Sequence, residues 1–186
     1  MTIRKFALPG LLLIEPKLID DSRGYFFEAY NQAAFEAAGI HYRFVQDNQS
    51  RSVAGVVRGL HYQQHPHAQA KLVRVLEGKI LDVAVDIRTG SPTYGQHVAV
   101  ELSAENRLQL LLPAGFAHGF SVLSDHATIL YKCDAHYHRD CEGGIRFDDP
   151  ALGIDWQVDL SKAITSERDR TLPLLSDCLH NFTFEG

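Results

Sequence analysis

Three strings in this 186-residue sequence combine residue types that can do chemistry. Arg58-Gly59-Leu60-His61 sets a guanidinium and an imidazole three positions apart on an otherwise apolar, strand-like run. In a regular strand such residues face opposite ways, but a bulge at Gly59 would turn both toward one side. Imidazole titrates nearest neutral pH of the common side chains, so His61 is suited to general-base work. A lone strand histidine is more often a hydrogen-bonded core or surface residue, and its neighbours decide between the two readings. Lys71 alternates in phase with Val73 and Val75. If those valines face a core, the ammonium faces inward and needs an anionic partner, or it snorkels to solvent at a barrel mouth. In Pro113-Ala-Gly115-Phe-Ala-His118, a tight turn delivers a second imidazole to the start of a strand.

The elements that position these residues read as strands. Short apolar runs of period two recur between Gly, Pro, Asn and Asp, and long stretches of period 3.6 are nearly absent. Strands are predicted at 11–15, 24–29, 56–62, 71–76, 79–87, 97–102, 107–112, 118–123 and 127–134. In the run from Lys79, Leu81, Val83, Val85 and Ile87 share one face as core, and Ile80, Asp82, Ala84 and Asp86 form a mixed opposite face. Glu77-Gly78 predicts a hairpin joining the runs that start at Lys71 and Lys79. One helix is predicted, capped by Asn31 and stopped by Gly39. The fold class that follows is mainly β, a jelly-roll barrel with one or a few short peripheral helices, as a single domain over 1–186.

Composition narrows the partners. The charge balance is 18 − 23 = −5 with no basic run, which disfavours nucleic acid and leaves anionic ligands to a few focused cations. Three cysteines, Cys133, Cys141 and Cys178, form no C-x-x-C pair and read as reduced thiols. The sequence shows no secretory signal and no apolar run of membrane-spanning length, so a cytoplasmic protein without membrane partners is expected.

The spacing Gly59-x5-His65-x-His67-x3-Lys71-x6-Gly78, followed by the His118 string, resembles the two cupin motifs. In metal cupins a glutamate ligand occupies the position of Lys71. An ammonium there puts positive charge where a divalent cation would sit, so no metal is expected and His65 and His67 read as loop residues. A metal-dependent cupin using His65, His67 and His118 is kept as a rival. Longer strings are more specific. Asp21-Ser-Arg23-Gly-Tyr-Phe-Phe-Glu28, Phe44-Val-Gln46-Asp47-Asn48, Arg58-Gly-Leu-His61-Tyr-Gln63, Ala70-Lys71-Leu-Val-Arg74, Pro113-Ala-Gly-Phe-Ala-His118 and Leu130-Tyr131-Lys132 resemble, in order, the dTDP-4-dehydrorhamnose 3,5-epimerase family of cupin-fold enzymes.

That resemblance implies a cofactor-independent homodimer that inverts carbons 3 and 5 of dTDP-4-dehydro-6-deoxy-D-glucose. It puts the proton acceptor on His61, its carboxylate partner on Asp169, the proton donor on Tyr131 and a substrate contact on Lys71, whose ammonium, with His118, can stabilise an enolate oxygen inside a barrel. Substrate contacts fall on Arg23, Glu28, Gln46, Asp47, Asn48, Arg58, His118, Glu142 and Arg168, with Tyr137 as an aromatic platform for a base. Spacing alone leaves Tyr131 an ordinary strand aromatic and Asp169 a helix cap or surface charge. One segment departs from the family pattern: Cys133-Asp-Ala-His136-Tyr137-His138-Arg-Asp-Cys141 has His136 for one aromatic and lacks the usual proline. It keeps open a single-carbon epimerase acting on another nucleotide-linked 4-ketosugar. A non-enzymatic sugar-binding cupin is the remaining rival, separated by proton exchange into the substrate.

Overall fold

The computed structural model describes residues 1–185. Thirteen strands and two short helices make it up: β1 (Thr2–Lys5), β2 (Leu12–Glu15), β3 (Ile19–Asp21), β4 (Gly24–Phe26), α1 (Gln32–Ala37), β5 (Gln46–Val53), β6 (Val57–Gln63), β7 (Lys71–Glu77), β8 (Lys79–Asp86), β9 (His97–Ser103), β10 (Gln109–Leu112), β11 (Phe116–Val122), β12 (His126–Cys133), β13 (Glu142–Gly144) and α2 (Glu167–Thr171). A six-stranded sheet ordered β1-β2-β10-β7-β12-β5 faces a five-stranded sheet ordered β13-β6-β11-β8-β9, and β3 and β4 pair as a separate hairpin. All strand pairs within these sheets are antiparallel. This is the expected jelly-roll architecture, closed against edge exposure by two packed sheets.

Three apolar layers hold it. Between the sheets, Leu13, Val73, Val75, Leu110 and Ile129 from one side meet Ile80, Ala84, Leu102, Phe120 and Val122 from the other. The outer face of the five-stranded sheet, with Val57, Leu60, Leu81, Val83 and Val85, is covered by Ile145, Phe147, Trp156 and Phe182 of the C-terminal region. The outer face of the six-stranded sheet packs Leu72 and Leu111 against Phe35 of α1 and Ile40. Strand β8 is therefore packed on both faces, not on one as the alternation suggested; its second face, with Ile80 and Ala84, looks into the barrel. The predicted helix is present, and the Asn31 side chain accepts a hydrogen bond from Ala34 N as its cap.

Two expectations about local structure are corrected. Strands β7 and β8 do not form a hairpin: β7 pairs with β10 and β12, and β8 with β11 and β9. Gly78, at φ +75°, turns the chain from one sheet to the other. A two-residue glycine turn has the same sequence signature whether the strands pair or part, because the outcome rests on partners distant in sequence. No strand is predicted over Gln46-Asp47-Asn48, yet this string starts β5. Its alternation is invisible in hydropathy because the inward face is itself polar, with Gln46, Asn48, Ser50 and Ser52 more shielded than Asp47, Gln49 and Arg51 between them.

Candidate functional site

Strand β6 carries the bulge that its sequence predicts. On β11, His118 and Phe120 are two residues apart, yet they pair with His61 and Arg58, three apart on β6. The extra residue lets Arg58 and His61 share the inward face while Val57, Leu60 and Tyr62 pack outside. Gly59 sits at φ +122°, and a β carbon there would lie 2.5 Å from Gly119 Cα and 2.8 Å from the His118 carbonyl oxygen. Only glycine fits that approach.

His61 Nε2 lies 2.7 Å from Asp169 Oδ1, and Asp169 Oδ2 accepts a hydrogen bond from Gly59 N at 3.2 Å. Asp169 is 3% exposed and sits on α2, where its own N–H donates to Ser166 Oγ. It is neither the cap nor a surface charge; Ser166 is the cap, and the cap orients the carboxylate. Burial pushes the Asp169 carboxyl up, but the His61 hydrogen bond and charge, with the Gly59 and Ser166 contacts, hold it below the ordinary carboxylate range. An ionised acceptor at Nε2 fixes the imidazole proton there and leaves Nδ1 with a free lone pair. His118, register partner of His61, is braced in the same way: its Nε2 is 2.8 Å from Oδ1 of the fully buried Asp82. Sequence reasoning did not assign Asp82 a role, although its place between Ile80 and Ala84 on the inward face of β8 was the available signal.

From the six-stranded sheet, Lys71 of β7 and Tyr131 of β12 approach the same space. Two adjoining compartments of about 150 and 180 Å³ are both lined by His61, Lys71 and Tyr131. The first also takes Gln46, Asn48, Gln63, Gln69, Tyr137 and Glu142; the second takes Ser50, Arg58 and His118. Lys71 points inward in phase with Val73 and Val75, as its alternation predicts. Burial pulls its ammonium below the ordinary lysine range, against the opposing charges of Cys133, Asp82 and Glu142. Burial, with Cys133 and Glu142, raises the Tyr131 phenol against the lowering effect of Arg58, so it remains protonated at neutral pH.

At the rim, Glu142 accepts from Tyr137 Oη at 2.8 Å and pairs with Arg168 at 2.7 Å. Burial raises its carboxyl, and these two partners more than offset that and hold it low. The Gln46 side chain accepts from Tyr137 N and donates to Asn48 Oδ1. Arg58 donates from Nε to Ser52 Oγ and, with Arg168, lines an open depression beyond His61.

Three expected contacts are not brought to this pocket. Asp47 alternates to the outer face of β5 and binds Lys132 at 2.9 Å. Arg23, at the tip of the β3–β4 hairpin, is exposed and chelates Asp21, while Glu28 accepts from Asn31 in a different depression. The hairpin and the residues after it lie over outward residues of the barrel, with Arg74 above Phe27 and Arg107 above Tyr25. The metal-cupin triad does not form either. His65 packs edge-on to Phe182, His67 stacks on His138, and His118 is held by Asp82 inside the barrel. His65 and His67 lie in the loop after β6, as expected.

The description "dTDP-4-dehydrorhamnose 3,5-epimerase" belongs to the family model that matches residues 5–177. A Pseudomonas aeruginosa protein of that name is 52% identical over 171 residues, covering 91% of this chain and 93% of its own. Among solved structures, a Legionella pneumophila dTDP-6-deoxy-D-glucose-3,5-epimerase in complex with dTDP-4-keto-L-rhamnose superposes with a TM-score of 0.90 at 48% identity, covering 95% of this chain and 93% of that one. A 3'-monoepimerase from Streptomyces bikiniensis in complex with dTDP-quinovose superposes at 0.86 with 35% identity over 92% of this chain and 86% of that one. A bulged strand that presents a carboxylate-braced histidine to a lysine and a tyrosine on the facing sheet thus agrees with sequence likeness along nearly the whole chain, and the protein belongs to the dTDP-4-dehydrorhamnose 3,5-epimerase family.

Proposed function

We propose that the protein converts dTDP-4-dehydro-6-deoxy-D-glucose to dTDP-4-dehydro-L-rhamnose by inverting carbons 3 and 5 through enolate intermediates. The observation that carries this reading is the opposition of His61, on one sheet, to Lys71 and Tyr131 on the other. Inversion beside a ketone needs a base on one face of the ring and an acid on the opposite face, so two walls suit it better than one. His61 Nδ1 removes the proton, and Asp169 stabilises the imidazolium that forms. Lys71 meets the negative charge growing on the carbon 4 oxygen in a site shielded from water, where fixed donors are most effective. The Tyr131 phenol returns a proton from the far side. Arg58 and Arg168 supply the cations for a diphosphate, with Gln46, Asn48 and Tyr137 toward the base or sugar hydroxyls.

No cofactor takes part in these steps, so turnover persists in a strong chelator. The reading extends to a cytoplasmic homodimer, consistent with the absence among described residues of any helix long and apolar enough to cross a membrane. Its support is the β3–β4 hairpin, whose Ile19, Tyr25 and Phe26 are 57%, 54% and 63% exposed. Arg23 and Glu28 ride on or beside this arm, and they reach a substrate only if a second copy receives it.

Incubation with the 4-keto sugar nucleotide in heavy water, followed by NMR, tests the activity: deuterium at both carbons with an L-rhamno product is expected, and no exchange at either sinks it. Exchange and inversion at one carbon would favour the single-carbon alternative. That alternative is motivated by the altered 133–141 segment, whose Tyr137 and neighbouring Glu142 form the pocket rim.

A further inference from the structure

Outside the barrel, His67, His138 and Cys141 bring one ligand atom each to within 4.8 Å of one another. They come from two segments already fastened together: Gln64 N donates to the Cys141 carbonyl at 2.7 Å, and His138 N donates to Gln63 Oε1 at 2.8 Å. His138 and Cys141 bracket a single 3-10 turn, Arg139–Cys141, closed by Cys141 N donating to the His138 carbonyl. The resulting H-x-x-C spacing puts two ligand side chains on one side of a tight turn. The His67 and His138 rings lie parallel, 4.3 Å apart at 6°. None of the three side chains has a hydrogen-bond or ion-pair partner among the described residues, and Cys141 is a free thiol.

We propose that His67, His138 and Cys141 form a binding site for a zinc-class divalent cation, with solvent as fourth ligand. Two imidazoles and a thiolate are a borderline-soft set that selects zinc over magnesium or calcium. Tetrahedral bonds of about 2.0–2.1 Å to nitrogen and 2.3 Å to sulfur separate ligand atoms by roughly 3.3–3.7 Å. Closing that difference requires the partly exposed side chains to rotate, the two imidazoles out of their parallel stack. Binding releases the thiol proton. The site lies apart from the barrel interior where the rival triad would have sat, and it does not rest on the epimerase reading. Two of its ligands are bracketed by residues that line the pocket rim, Tyr137 just before His138 and Glu142 just after Cys141, so the ion would clamp that rim to the loop after β6.

The test is a Co²⁺ titration of the chelator-stripped full chain, followed by absorption and by displacement with Zn²⁺. One equivalent of Co²⁺ with a thiolate charge-transfer band is expected, abolished in Cys141→Ser, retained in Cys178→Ala, and weakened at least tenfold in His138→Gln. In wild type, Zn²⁺ at a hundredfold excess over Kd should raise Tm by roughly 5–10 °C. No band, or a band that survives Cys141→Ser, overturns the site. X-ray absorption of the zinc-loaded wild type settles the matter if a variant fails to fold: one sulfur at about 2.3 Å beside imidazole nitrogens supports it, and an all-oxygen-and-nitrogen shell refutes it.

Discussion

On the five-stranded wall of the pocket each imidazole leans on a buried carboxylate, His61 on Asp169 and His118 on Asp82. On the six-stranded wall Lys71 and Tyr131 have no hydrogen-bond or ion-pair partner among the described residues, and burial displaces both from their ordinary titration. One wall is complete in itself, with tautomer and orientation fixed before any ligand arrives. The other holds a desolvated ammonium with no partner in contact, a place that an enolate oxygen would fill. On the proposed function, the difference means that the base is fixed in advance and the oxyanion site is left to be completed by the reaction, which is where differential binding accelerates chemistry.

Four substitutions break or sharpen that contrast. His61→Asn should reduce deuterium exchange at both carbons by about 10²–10⁴, with nucleotide binding roughly intact; wild-type exchange in the variant would show that another group is the base.

Lys71→Met should cost about 10²–10³ in turnover, the scale of losing an oxyanion donor, and yet stabilise the fold. The sign follows from linkage. With the folded value lowered, the unfolded chain binds the proton more tightly, so stability rises with pH between the lowered value and the ordinary lysine range, and the full cost is present below both. Melting at neutral pH should therefore rise by a few degrees, and the alkaline rise in stability should disappear. A Tm that falls would mean that the nearby charges of Asp82 and Glu142 outweigh the burial cost of Lys71 in the free protein.

Tyr131→Phe should separate exchange from inversion. The enolate still forms, His61 returns deuterium from the original face, and product formation falls by about tenfold or more beyond any loss of exchange. Inversion at both carbons at the wild-type rate would exclude Tyr131 as the acid and direct attention to Tyr137. The smallest effect is expected at the open mouth: Arg58→Ala should raise KM by about tenfold in a salt-sensitive way and change kcat little, because the contact is present throughout the reaction. An equal loss in kcat and kcat/KM would move Arg58 into the transition state.

Much of the site was legible where local rules act alone. The Gly59 bulge follows from a glycine inside a strand, and the inward lysine from period-two alternation with two valines. Ser166 and the acidic residues after it carry a helix-cap signature, yet no local rule says that the second of them, Asp169, turns into a barrel more than a hundred residues earlier in the chain. Strand β5 was hidden because its inward residues are polar, so the pattern that marks an ordinary strand is cancelled by the demand for a polar pocket wall. Arg23, Glu28 and Asp47 sit in strings as specific as the rest, but a string match carries no information on which side of a sheet a side chain works.

By itself, then, the sequence determined the mainly β architecture, the Asn31-capped helix, the bulged Arg58–His61 pair and the inward lysine, since each depends on residues within a few positions and on hard limits of backbone geometry. Tertiary structure decided that β7 and β8 part at Gly78 into different sheets and that Asp82 braces His118, and it supplies the contacts behind what only the family resemblance implied, Asp169 against His61 and Tyr131 across a cavity from it. Those relations join residues tens to more than a hundred positions apart. They exist only once two sheets have closed on a common core, because it is that packing, and not any local preference, that excludes water from the carboxylates and fixes which faces meet.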